Sequence, residues 1–321
     1  MTASSSDPWR TAAAGSAVVA TAAFLVGAMA FGPGALAAQQ PRTDFCTQTT
    51  EAALNACGHE ARDDLAISIG ICANESGEAA RKACVAEALA AGQGDHALCR
   101  AQAEARAALC AALGEDPYDP PIKPANFVRR VTNPFMPWLP GSVWVYRGGD
   151  EKITVTVTDE TKTVLGVKCT VVRDVVEEDG EPIEDTLDYY AQDRAGNVWY
   201  FGELSQSFEN GELVSLEGSW LAGVDGAKPG IVMLANPKKG VVYRQEFALG
   251  DAEDAARVIT TLGSAKVPAK TCKKSCVVTG DFTPVEPDVL EHKFYASGVG
   301  LVLELDPATG DRTELVKFKK P

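Results

Sequence analysis

Nine cysteines and three histidines carry most of the chemistry available to this 321-residue chain. Cys272 and Cys276 flank Lys273-Lys274-Ser275, and His292 follows downstream. Two soft thiolates and an imidazole suit copper or zinc, so this set is the candidate for a metal-handling protein. The competing outcome is a structural disulfide. On an extended strand the two cysteines would lie ~13 Å apart, so a turn must bring them together. Cys169 is in phase with Val167 and Val171 and is expected to point inward; three cysteines cannot all pair, which leaves one buried thiol. His59 and His96, with Asp63 or Asp95 nearby, form a second candidate metal set, against the alternative of two exposed polar residues. The acids Glu177, Glu178, Asp179, Glu181, Glu184 and Asp185 read as a solvated hairpin tip, at most a weak calcium site.

A third constellation is aromatic. Leu290, His292 and Phe294 share one face of an expected strand, and Glu291, Lys293 and Tyr295 the other. Asp188 and Tyr190 share a face in their strand, as do Trp199 and Phe201 in theirs. If these faces line the concave side of a curved sheet, Tyr190, Trp199, Phe201 and His292 form an apolar pocket with a few polar handles. Such a pocket suits an apolar or amphiphilic small molecule. The alternative is that these side chains are core, because aromatic residues in strands normally pack. The chain contains no H-E-x-x-H, G-x-S-x-G, P-loop or C-x-x-C-H string. No catalytic residue is assigned and no cofactor is called for.

The elements that must position these residues begin with six cysteines between Cys46 and Cys110. They are spaced 11, 15, 12, 15 and 11 residues apart, a series that reads the same in both directions. A chain folded back near residue 78 brings Cys46 and Cys110, Cys57 and Cys99, and Cys72 and Cys84 into register together. Steps of 11 and 15 residues are roughly three and four helical turns, so each arm keeps its cysteines on one broad face. The expectation is an antiparallel helical hairpin with three disulfide rungs. Alanines at 52, 53, 56, 83, 86, 88, 101, 105 and 108 allow the close approach a disulfide needs. Asn74-Glu75-Ser76-Gly77 supplies the turn. Gly58 and Gly92-Gln93-Gly94-Asp95 are the points where an arm could kink. An alternative reads three Cys-bearing repeats about 27 residues apart, as in a three-helix bundle, but that leaves one cysteine over at each end. On this model His59 and His96 stand nearly opposite one another beside the Cys57 rung.

Upstream, Arg10 precedes an apolar stretch from about Ala12 to Phe31, then Gly32-Pro33-Gly34 and Ala35-Leu36-Ala37-Ala38-Gln39. This matches a secretory signal over 1–38, cleaved after Ala37 or Ala38. No second membrane segment follows, so the mature chain is expected outside the cytoplasm, secreted or periplasmic, where disulfides persist. A net charge of -14 argues against nucleic acid as a partner. The partners left are an apolar small molecule or another protein.

Composition changes at Asp116-Pro117-Tyr118-Asp119-Pro120-Pro121-Ile122-Lys123-Pro124. Four prolines in eight residues read as a stiff linker with few contacts across it. The expected organisation is therefore a Cys-rich hairpin over 39–116, a linker over 117–126 and an antiparallel β domain over 127–321. Ile153, Val155 and Val157 alternate with threonines, and Asp179-Gly180 and Asn210-Gly211 mark tight hairpins. The fold class is α+β, a disulfide-stapled helical hairpin followed by an antiparallel β half-barrel or curved sheet.

The string Asn133-Pro134-Phe135-Met136-Pro137-Trp138-Leu139-Pro140-Gly141-Ser142-Val143-Trp144-Val145-Tyr146 resembles the opening of TapB-like domains of secreted bacterial proteins, where "PL-x-x-G-x-x-W-x-Y" begins a curved antiparallel sheet. Residues 188–193, 196–202 and 291–302 are similar to the same family. Its Cys-bearing helical segment, ending in "LGE-x-x-YDP", looks like Leu113 to Pro120 here. The resemblance spans most of the mature chain and implies an open or half-closed barrel, with no activity or catalytic residue attached. The leading expectation is a secreted or periplasmic, non-catalytic binding or structural protein. A metal-handling protein using Cys272, Cys276 and His292, and an extracellular enzyme of unknown class, are the alternatives.

Overall fold

A computed structural model of the chain describes residues 43–321; the expected signal sequence lies outside the described residues. Helices α1 (Phe45–Ala73) and α2 (Glu78–Leu113) form the hairpin. At 1.5 Å per residue they are ~44 and ~54 Å long. The turn ends on Gly77, whose φ of +102° is open to glycine and costly for other residues. The three rungs are Cys46–Cys110, Cys57–Cys99 and Cys72–Cys84, with Cα separations of 5.6, 5.7 and 5.4 Å. Neither glycine region breaks its arm. Gly92 instead serves the packing, because a Cβ there would stand 3.2 Å from Leu65 Cδ2 on α1.

The open end of the hairpin is closed by Glu115. Its carbonyl accepts the N–H groups of Phe45 at 3.0 Å and Cys46 at 3.4 Å. Its carboxylate accepts the Thr47 N–H and the Thr47 hydroxyl, both at 2.9 Å. The first turn of α1 would otherwise leave these N–H donors without intrahelical partners, and a negative charge suits the positive end of the helix.

The remainder is a single antiparallel sheet of 17 strands. The long strands Val143–Gly148, Glu151–Val164, Val167–Glu178, Glu181–Asp193 and Val198–Leu204 pair in order as a meander. Ala255–Val267, Lys270–Phe282, Leu290–Ala296, Gly300–Leu305 and Arg312–Lys319 form a second meander, and its last strand pairs back onto Val143–Gly148. The free ends meet through Lys228–Met233 and the short strands Val242–Arg244 and Glu246–Phe247. Closure thus goes further than a half-barrel, to a nearly closed, barrel-like sheet with one seam. Asp179-Gly180 and Asn210-Gly211 make the tight turns, with positive φ at all four residues.

Hairpin and barrel belong to one compact unit, Arg42–Pro321. A buried ion pair crosses between them. Arg106 of α2 donates from Nε to both Glu253 oxygens at 3.0 Å and from Nη2 to Oε1 at 2.7 Å. Gln102 donates to the Val285 carbonyl at 2.8 Å, and Tyr118 in the proline-rich segment donates to the Pro229 carbonyl at 3.0 Å.

Candidate functional site: an acidic cavity inside the barrel

Tyr190 pairs with Tyr200 across neighbouring strands, and Ala191 with Trp199. Side chains alternate between faces, so Tyr190 and Tyr200 share one face and Trp199 and Phe201 take the other. The Tyr190 face is the inner one. There the barrel leaves a cavity of about 290 Å³, lined by residues from most of the long strands. Its apolar wall includes Ile153, Val155, Val172, Val232 and Leu301. Its aromatic wall is Trp138, Tyr146, Tyr190, Tyr200 and Tyr295. The Tyr190 and Tyr200 rings stack at 4.7 Å, and Trp138 lies 5.7 Å from Tyr190.

Six carboxyl side chains reach this cavity: Asp174, Asp188, Glu246, Asp254, Asp281 and Glu304. Lys293 is the one basic side chain among the lining residues, and its ammonium is already engaged. It lies 3.0 Å from Glu291, 3.5 Å from Glu304 and 3.9 Å from Asp281. Burial favours loss of its proton, but the carboxylates of Glu304, Asp281 and Glu291 outweigh it and hold Lys293 well above its ordinary value. Among the described residues no base is paired with Asp174 or Asp188 on the other side. Burial, with the neighbouring Asp188 adding to it, raises Asp174 to about 7. Burial also raises Asp188 to about 7, although Tyr200 donates to its Oδ1 at 2.6 Å. Glu203, behind Tyr200, is likewise raised to about 7 by burial. Burial and Asp254 drive Glu246 well upward.

Several polar atoms in this region are buried without a hydrogen-bond partner. They include Asp174 Oδ1 and Trp138 Nε1, both on residues lining the cavity. Such orphaned atoms cost about 1–3 kcal/mol each unless something fills the space and pairs with them. Asp281, only 5% exposed, accepts from Gln245 Nε2 at 3.1 Å.

Of the four residues expected to form the pocket, only Tyr190 lines this cavity. Phe201 is fully buried in the hydrophobic core, with Phe127 edge-on at 5.5 Å. Trp199 packs on Phe127 from the same outer face and lines a separate cleft of about 680 Å³ between the hairpin base and the barrel. In that cleft Arg244 lies over the rings of Tyr118 at 5.5 Å and Phe247 at 4.8 Å. His292 pairs with Gly280 and Leu305, on the opposite face from Lys293. The expectation reversed the faces of two strands. Period-two alternation defines two faces without saying which one turns inward, and here the charged and tyrosine face does.

The metal candidates are not brought together. Cys272 and Cys276 are joined in a disulfide with a Cα separation of 5.9 Å. The turn that allows this is a bulge: Cys272 faces Ala265 and Cys276 faces Gly263, with Lys273, Lys274 and Ser275 looped out. Lys274 has a φ of +50°, and its N–H donates to Ser264 Oγ at 2.8 Å. His292 lies four residues along the neighbouring strand from the pairing point of Cys276, which faces Ala296. Cys169 is the free, buried thiol. His59 is exposed, with Nδ1 3.1 Å from Arg62 Nη2. Among the described residues no group of three His, Cys, Asp or Glu side chains converges as a metal site would require. At the hairpin tip Glu177 pairs with Lys152, and Asp185 accepts from Arg173 Nε at 2.7 Å.

Comparison with known proteins finds no matching family model, no matching curated protein and no matching solved structure. Four disulfides fit an oxidising compartment outside the cytoplasm. Among the described residues no helix is long and apolar enough to cross a membrane.

Proposed function

We propose that the chain is a secreted or periplasmic, non-catalytic binding protein that holds a small amphiphilic molecule inside its barrel. The observation that carries this reading is the interior cavity of about 290 Å³, in which apolar walls and unpartnered polar atoms occur together. Its size is at the small end for ligand pockets, and its mixed lining is their usual make-up. The stapled hairpin is a rigid appendage on this carrier, fixed to it by Arg106 and Glu253. Export would follow from the expected signal over 1–38, with cleavage near Ala37 or Ala38.

A neutral dye that brightens in apolar surroundings, N-phenyl-1-naphthylamine, tests the reading. It is expected to bind the wild-type protein and to be lost in Val155→Phe, whose ring fills the cavity. Trp199→Ala and Lys238→Ala, which alter the outer cleft and the surface, should leave it unchanged. Binding that survives Val155→Phe but not Trp199→Ala would move the site to the outer cleft and overturn the reading. One observation favours a second reading, an extracellular enzyme: Asp174, Asp188 and Glu203 are held near neutrality beside tyrosines, as general acids and bases are. Turnover of a bound compound, abolished by Asp188→Asn with binding retained, would establish it.

A further inference from the structure

We propose that the molecule held in the barrel is a small organic cation, an ammonium on a short apolar body, with its charge met by Asp174 and Asp188 and its body lying against Trp138, Tyr190 and Tyr200. The inference rests on reading the cavity as a binding site, and adds the chemistry of the ligand.

Charge is the first argument. The cavity wall presents six carboxyl groups and one ammonium, and Lys293 is committed to the Glu291, Glu304 and Asp281 side. Asp174 and Asp188 face the same space, and among the described residues neither is paired with a base. Arg173, the neighbour of Asp174 in sequence, points to the outer face and is bound to Asp185. A cation entering here supplies the counter-charge that the fold omits, in surroundings where water screens little. An anion would meet uncompensated carboxylates, and a neutral molecule would leave them as they are.

Hydrogen bonding is the second argument. Asp174 Oδ1 is an acceptor buried without a donor, on a residue lining the cavity. An occupant that brings an N–H group satisfies it.

The wall itself decides between an organic and an inorganic cation. A metal ion needs several ligands converging on one point, and among the described residues no such group exists. Val155, Val172 and Leu301 make up much of the lining, and an inorganic ion would leave that surface unfilled. An apolar body covers it, while the aromatic side chains suit a cation electronically as well as sterically.

Calorimetric titration at pH 8 with phenethylamine, and with 2-phenylethanol as its neutral counterpart, tests the proposal. Phenethylamine is expected to bind at least ten-fold more tightly. Asp188→Asn and Asp174→Asn should each weaken the amine ten-fold or more and narrow its advantage over 2-phenylethanol. Either variant suffices if the other fails to show a cooperative thermal transition. Equal binding of amine and alcohol, or an amine affinity unchanged in the folded variants, overturns the cationic ligand while the cavity reading stands. Failure of the dye and both phenyl compounds to bind overturns the cavity reading and this inference with it.

Discussion

The ion pair between Arg106 and Glu253 joins the hairpin to the barrel, and replacing Arg106 with methionine should be costly out of proportion to one surface arginine. Both side chains are nearly dry, at 6% and 1% exposure, and their three N–O contacts span 2.7–3.0 Å. After the substitution Glu253 keeps the Gly250 N–H at 2.9 Å and the more distant charge of Arg244, and loses its hydrogen-bonded counter-ion. Charges ~4 Å apart interact by about 4 kcal/mol at an effective dielectric constant of about 20. Measured losses from removing one partner of a buried pair are about 3–5 kcal/mol. Arg106→Met is therefore expected to lower the unfolding free energy by about 3–5 kcal/mol at pH 7, read by urea denaturation with the disulfides intact. Glu253→Leu should cost a similar amount, because it strands Arg106 close to Arg244. The double variant should recover much of the loss, since a desolvated pair and two apolar side chains are often nearly equal. Single variants within about 1 kcal/mol of wild type, with strictly additive effects, would refute the argument that this pair is dry and coupled.

Three further outcomes follow from named groups. Folded Asp174, Asp188 and Glu203 hold protons up to pH about 7 that the unfolded chain releases near pH 4. Stability without ligand should therefore fall as pH rises from about 4 to about 7 and level off above, and Asp188→Asn should flatten this slope in a series of thermal melts. The Cys169 thiol is buried and pushed up to about 12, so it should resist a thiol reagent in the folded protein and react at once in denaturant. Replacing Cys57 and Cys99 together with serine should cost about 2–4 kcal/mol, while non-reducing peptide mapping of the wild type should recover Cys46 with Cys110, Cys57 with Cys99 and Cys72 with Cys84.

The hairpin is legible in the sequence because a disulfide ladder writes its geometry into residue spacing. A symmetric series of intervals has one simple folded solution, and the structure adopts it. The turns at Asp179-Gly180 and Asn210-Gly211 are legible for a similar reason, since positive φ selects residue type locally. The inner face of the barrel is not. Asp174, Asp188, Glu246, Asp254, Asp281 and Glu304 come from segments scattered over more than a hundred residues, and only the closed sheet brings them together. Grouping aromatic residues in phase, and setting their faces on the concave side, pointed to Trp199, Phe201 and His292. In this barrel the outer face is itself covered, with Phe127 laid across Trp199 and Phe201, so both faces of those strands are partly buried and hydrophobicity does not choose between them. Glu115 is a different case. It stands just beyond the Gly114 that ends α2, but the donors it satisfies belong to a helix that begins 70 residues earlier, and nothing local announces them.

The most direct test of the account is the location of a bound probe. Intermolecular nuclear Overhauser effects from N-phenyl-1-naphthylamine to the protein should appear at the ring protons of Tyr146, Tyr190 and Tyr200 and at the methyls of Val155 and Val172, which line the interior cavity. Contacts to Phe45, Leu113 and Phe247 instead would place the ligand in the cleft between hairpin and barrel, and would contradict the claim that the acidic interior is the binding site.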